Sequence, residues 1–199
     1  MKKLLMILLM INLALIVIFT AIFWSRHNYE FIIYVCVIIF AMFLIAFSIN
    51  KVEYTPAALV GLTIWSAMHL AGGGLTVAGQ RLYDIILIPI SQTYPIIRYD
   101  QIVHIWGFGS VTIVMFCLLK KVLKRPLGKR VAISIVLIMA GMGVGAFNES
   151  LEFIVSAIVP QSGVGGYLNT SLDLCSNLIG AILAMIYIRV FYLGPNIAQ

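Results

Sequence analysis

Near-continuous apolar sequence recurs six times along this chain, over residues 4–24, 31–49, 56–71, 100–119, 131–158 and 171–192, separated by short polar breaks. Crossing about 30 Å of hydrocarbon takes roughly 20 helical residues, so each stretch reads as a membrane-spanning helix. The third is shorter and is expected to break at Gly72-Gly73-Gly74. The fifth is long, so its far end is expected to tilt, kink or project. The fold expected is all-α, a polytopic transmembrane bundle of six spans in one domain over residues 1–199.

Composition agrees with that pattern. Of 199 residues, 62% are hydrophobic and 10% charged, with a mean hydropathy of +1.08. A soluble domain of this size has no means of hiding so much apolar surface, whereas a membrane protein has lipid to receive it. The first stretch follows Met1-Lys2-Lys3 but is longer than a signal-peptide core and lacks a clean small-x-small cleavage site, so an uncleaved helix is expected.

Charge sets an orientation. Lys120, Lys121, Lys124, Arg125, Lys129 and Arg130 crowd the loop between the fourth and fifth spans. With both termini inside, that loop joins Lys2, Lys3, Lys51 and Arg189 on the cytoplasmic side, leaving Arg26, Arg81 and Arg98 outside. Ten of thirteen basic residues then lie inside, as the positive-inside rule demands, which selects N-in, C-in in a plasma (inner) membrane. The net charge of +6 is accounted for by this topology and by contact with anionic membrane lipids, with no nucleic-acid partner.

Orientation makes the polar residues informative. Asp100, Glu149, Glu152 and Asp173, with His69, His104 and Asn177, fall in or at the edges of four spans and at similar depth in the outer half of the bilayer. Asp100/His104 and Asp173/Asn177 are four residues apart and Glu149/Glu152 three, so each pair shares a helix face. Ionisable groups are costly in hydrocarbon, so these faces should turn toward one another.

The runs His69-Leu70-Ala71-Gly72-Gly73, Arg98-Tyr99-Asp100-Gln101-Ile102-Val103-His104, Asn148-Glu149-Ser150-Leu151-Glu152-Phe153 and Asp173-Leu174-Cys175-Ser176-Asn177-Leu178-Ile179-Gly180 carry a resemblance across residues 68–184. In order and spacing they resemble the YjdF-like family of bacterial inner-membrane proteins. The shorter Asp-x-x-x-His, Glu and Asp-x-x-x-Asn-x-x-Gly elements are similar to those of the VanZ-like family. The resemblance implies a bacterial inner-membrane protein and supports the site residues, while implying no particular reaction. The chain departs from the YjdF-like pattern before Asp173, where Gly165-Gly166-Tyr167-Leu168-Asn169-Thr170 replaces a Gly-Asp-x-Trp-Asp run and its acidic groups.

Three chemistries fit such a cluster. One is a divalent metal ion, because close carboxylates repel unless a cation or proton intervenes; the candidate ligands are His104, Glu149, Glu152 and Asp173, with His69 as a fifth. A metal facing outside would polarise a phosphate or activate water on an envelope lipid or lipid-linked intermediate drawn from the outer leaflet. The second is metal-free acid–base work, with Asp100 orienting His104 as general base and Glu149 as acid. The third is uptake of protons or cations, in transport or binding. Beside these stands a non-enzymatic protein whose polar cluster fastens helices.

Other features read more plainly. Cys36, Cys117 and Cys175 fall in different spans and are expected to be free thiols. Asn177 with Gly180, and Gly141, Gly143 and Gly145, are expected to let helices approach closely. Gly163-Val164-Gly165-Gly166 lacks the Lys-Ser/Thr of a phosphate loop and reads as an outer turn. Within residues 72–99, the apolar Ile85–Ile90 piece is expected to lie on the membrane surface over the polar mouth, as an interfacial anchor or as a lid admitting a lipid-like substrate.

Overall fold

The computed structural model describes residues 2–122, 130–159 and 162–193. It contains six long helices: α1 (Lys2–Ser25), α2 (Tyr29–Ser48), α3 (Pro56–Gly74), α4 (Tyr99–Leu119), α5 (Arg130–Ile158) and α6 (Tyr167–Phe191). All six have the length and apolar composition of membrane spans. The all-α polytopic bundle expected from the apolar runs is therefore the architecture observed. Lys124, Arg125 and Lys129 lie outside the described residues, as does the side chain of Arg130.

Local chemistry starts several of these helices. The Asn28 side chain accepts the Phe31 amide at 3.2 Å, capping α2. Thr55 accepts the Ala58 amide at 3.2 Å, and Pro56 occupies the first turn of α3, where its missing N–H costs nothing. The Gln101 side chain reaches back to the amides of Ile97 (2.6 Å) and Arg98 (3.2 Å), satisfying donors at the start of α4.

One expectation is overturned. The glycine triplet does not break the third span; α3 runs through Gly72, Gly73 and Gly74. These glycines serve packing. A β-carbon would overlap the Tyr83 ring at Gly72, the Phe31 ring at Gly73 and the Phe19 ring at Gly74. Aromatic rings from α1, α2 and the following loop thus press on the bare backbone, burying the helix end that glycine propensity alone would fray. α6 also begins a turn earlier than expected, at Tyr167.

The segment between α3 and α4 holds a small antiparallel hairpin, β1 (Thr76–Val77) and β2 (Gln80–Arg81). Its two-residue turn, Ala78-Gly79, has positive φ at both positions, 52° and 82°, the pattern of a tight type I′ turn. A single 3-10 turn, Leu82–Asp84, follows, and the chain returns to α4 through a bridge between Ile86 and Arg98.

α4 sits at the centre, packing on α3, α5 and α6. Its approach to α6 is closest at Gly109 and Gly180, where a β-carbon on Gly180 would overlap the Ile105 carbonyl. α5 comes near α6 at Gly145, against Asn177, and near α4 at Gly141, against Thr112. Gly143, by contrast, faces open space and contributes no close approach. The outward surface of the bundle is apolar, with Val17, Phe40, Phe47, Met139, Phe153 and Val190 all exposed, as lipid contact allows.

Candidate functional site at one end of the bundle

The helices alternate in direction, so the ends of α3 and α5 and the starts of α2, α4 and α6 meet at one end of the molecule. Lys51, Glu53, Lys120 and Lys121 cluster at the other end, where Lys120 bonds Glu53 at 3.2 Å and Lys121 bonds the Lys51 carbonyl at 3.0 Å.

The tight α4–α6 contact zips two polar helix faces together. His104 Nδ1 lies 3.0 Å from Asn177 Oδ1, and both residues are buried. With Asn177 Oδ1 accepting from Nδ1–H, the lone pair of His104 remains on Nε2, which faces Asp100 Oδ1 at 3.6 Å. One turn up α6, the Asn169 amide donates to Asp173 Oδ2 at 2.5 Å and to Asp100 Oδ2 at 3.5 Å. Asp100, His104 and Asp173 can direct one ligand atom each to a common point.

α5 supplies the other side. Glu149 Oε1 is 3.6 Å from His104 Nδ1, and Asn148 donates to Glu152 Oε1 at 2.8 Å. His104, Glu149 and Glu152 form a second trio of converging ligand atoms. Glu149 is 7% exposed and Asp173 1%. Both carboxylate oxygens of Glu149, together with Asp173 Oδ1 and Asn177 Nδ2, are buried without a hydrogen-bond partner among the described residues. Unsatisfied buried carboxylate oxygens cost free energy that a proton or a cation recovers.

His69 is placed differently from the other candidates. Its Nδ1 meets the Tyr83 hydroxyl at 2.6 Å, and its ring packs among Phe31, Tyr34, Trp65 and Tyr83 at centroid distances of 5.3–5.7 Å. It belongs to neither converging trio among the described residues. Burial pushes the Tyr83 phenol well above its usual pKa, keeping it a neutral hydrogen-bonding group.

Above the carboxylates lies a cavity of about 170 Å³, reached by Tyr34, His69, Arg98, Asp100, Glu152 and Asn169. Its rim is tied together: the Gly163 amide donates to Glu30 at 2.5 Å, and Arg81 donates to the Gly163 carbonyl at 3.2 Å while pairing with Asp84 at 3.0 Å. Burial alone would lower the Arg81 pKa, but its bond with Asp84 more than offsets this and holds it above the ordinary value.

Asn169, Tyr34 and Glu30 were not among the sequence candidates. Asn169 precedes Asp173 by four residues and extends the same face once α6 is known to start at Tyr167. Glu30 and Tyr34 form another four-residue pair, just after the Asn28 cap that marks the start of α2. Cys36, Cys117 and Cys175 are all free thiols, as expected.

Six apolar spans around a buried polar cluster define a multi-pass membrane protein. A family model described as "Predicted membrane protein (DUF2238)" matches residues 5–193, and the chain belongs to that family, also known as YjdF-like. The match carries the YjdF-like part of the resemblance and not the VanZ-like part. No curated protein and no solved structure matched the chain.

Proposed function

We propose that this is a plasma-membrane protein, N-in and C-in, whose acid/His site opens outward and acts on an envelope lipid or lipid-linked intermediate with a bound divalent cation. The observation that carries the reading is Asp173 Oδ1, buried and without a hydrogen-bond partner beside His104. The favoured ligands are His104 Nε2, Asp100 and Asp173. Asn177 orients the imidazole and Asn169 bonds both carboxylates, the kind of outer shell that fixes metal ligands. Oxygen-rich donors with one imidazole suit Mn²⁺, Fe²⁺ or Zn²⁺, and three protein ligands leave a position open for water or substrate. Glu149, on the other side of His104, then serves as the proton-handling group, and Glu152 reaches into the substrate cavity. His69 supports the cavity wall through Tyr83.

Thermal unfolding in mild detergent tests this. A chelator should lower the wild-type midpoint and added Mn²⁺ or Zn²⁺ should restore it, because a ligand bound only to the folded state stabilises it. Asp173→Asn should lose that response, whereas Glu149→Gln should keep it. A wild type indifferent to both chelator and metal defeats the reading.

The His104–Asn177 and Asn169–Asp100 bonds across α4 and α6 also favour a second reading, in which the cluster only fastens helices. In that case His104→Ala and Asp173→Asn would destabilise the bundle with no dependence on metal.

A further inference from the structure

The cavity above the acid cluster contains donors that the cation reading leaves unused. Arg98 Nε is buried without a partner, and its Nη1 makes only a long bond, 3.4 Å, to Asn169 Oδ1. The Tyr34 hydroxyl, on a residue 8% exposed, is likewise buried and unpartnered. Both residues line the same cavity.

The carboxylates around them are engaged elsewhere. Asp84 pairs with Arg81, Glu30 takes the Gly163 amide, Glu152 takes Asn148, and Asp100 faces His104 and Asn169, with Arg98 acting on Asp100 and Asp173 only through longer-range Coulomb attraction. Of the cavity's two guanidinium groups, Arg98 has no carboxylate within 4.0 Å among the described residues. A half-buried guanidinium whose Nε–H is unpartnered seeks an anion, and its planar fork matches the oxygens of a phosphoryl group. Asn169 links Arg98 to the cluster: its Oδ1 meets Arg98 Nη1, and its amide donates to Asp100 and Asp173 of the converging Asp100–His104–Asp173 trio. An anion held by Arg98 therefore lies next to the cation position.

We infer that this cavity is a phosphoryl-binding subsite in which Arg98, assisted by the Tyr34 hydroxyl, holds the phosphate of a lipid headgroup beside the His104 cluster. The inference deepens the cation reading and rests on it for the role of the neighbouring carboxylates. A volume of about 170 Å³ suits a headgroup and not an acyl chain. The chains would leave over the apolar Ile86–Ile90 stretch, whose Ile86, Leu87, Ile88 and Ile90 are all exposed.

The test is binding of three probes to the whole protein in mild detergent: dihexanoyl phosphatidic acid, inorganic phosphate and the phosphate-free dihexanoylglycerol. Wild type should bind phosphatidic acid in clear preference to dihexanoylglycerol. Arg98→Gln should weaken that binding roughly ten-fold or more, with Arg98→Lys in between because it keeps the charge and loses the fork. Tyr34→Phe should weaken it less. Inorganic phosphate binding as tightly as the lipid would keep the subsite and assign it to soluble phosphate.

Metal content and thermal midpoint, measured on the same samples, separate the two proposals. Arg98→Gln should remain folded and keep its metal. A metal-loaded wild type that does not discriminate phosphatidic acid from dihexanoylglycerol overturns the subsite alone, as does a folded Arg98→Gln that binds like wild type. A metal-free wild type that still binds phosphatidic acid through Arg98 overturns the cation reading and leaves the subsite standing.

Discussion

At the scale of single residues, the site depends on a few short polar contacts inside an apolar bundle. Asn177 is the pivot, fully buried, with its side-chain oxygen on His104. Asn177→Ala strands the imidazole Nδ1–H and should cost about 1–3 kcal/mol of stability. If His104 ligates a cation, the same change should also lower metal affinity roughly 10–100-fold, through loss of the orienting bond. Thermal unfolding and metal titration read the two effects separately, and a stability loss at unchanged affinity would reduce Asn177 to a packing role. The pairing of Asp100 with His104 and of Asp173 with Asn177 was legible because a helix places every fourth residue on one face. Asn169 was not, because its membership depends on where α6 begins, and an apolar run marks a helix start only to within a turn. The His69 environment was equally hidden, since four aromatic neighbours from α2, α3 and the loop converge on it only in the folded chain.

At the scale of elements, glycines decide how close the helices come. Gly180→Ala would drive a methyl into the Ile105 carbonyl at the α4–α6 contact, so it should destabilise by about 1–3 kcal/mol. Gly143→Ala meets nothing and should be neutral or stabilising, by up to about 1 kcal/mol of helix propensity. Equal thermal midpoints for the two variants would contradict the packing assigned here. The run of small residues was readable in the sequence, but which of them faced a neighbour was not. The same limit explains α3: a glycine triplet signals a break by propensity, and packing of Phe19, Phe31 and Tyr83 overrides it. The hairpin at residues 76–81 leaves no mark in the hydrophobic pattern, because two-residue strands carry no periodic signal. If the exposed Ile86–Ile90 stretch guides lipid toward the cavity, Ile86→Ser with Ile88→Ser should slow binding of phosphatidic acid at unchanged thermal stability. Unchanged binding kinetics would leave that stretch an interfacial anchor.

At the scale of the whole molecule, the six spans were plain from length and hydropathy, because the bilayer imposes both. What the apolar runs could not show was the depth at which α2 joins the site through Glu30 and Tyr34. The bundle puts the acid/His cluster and the Lys51–Lys121 cluster at opposite ends, and the proposed N-in, C-in orientation would set the former outside. A cysteine at Gln92, exposed in the segment before α4, should react with a membrane-impermeant maleimide in intact cells beyond the wild-type background. A cysteine at Lys121 should react only after permeabilisation, and the reverse pattern would invert the topology. Whether the buried carboxylates around His104 hold a cation is decided by elemental analysis of protein purified in mild detergent without chelator. The expected result is close to one Mn, Fe or Zn per chain in the wild type and in Glu149→Gln, and none in His104→Ala or Asp173→Asn. A wild type free of divalent metal, with His104→Ala strongly destabilised, would contradict it and make the cluster a helix fastener.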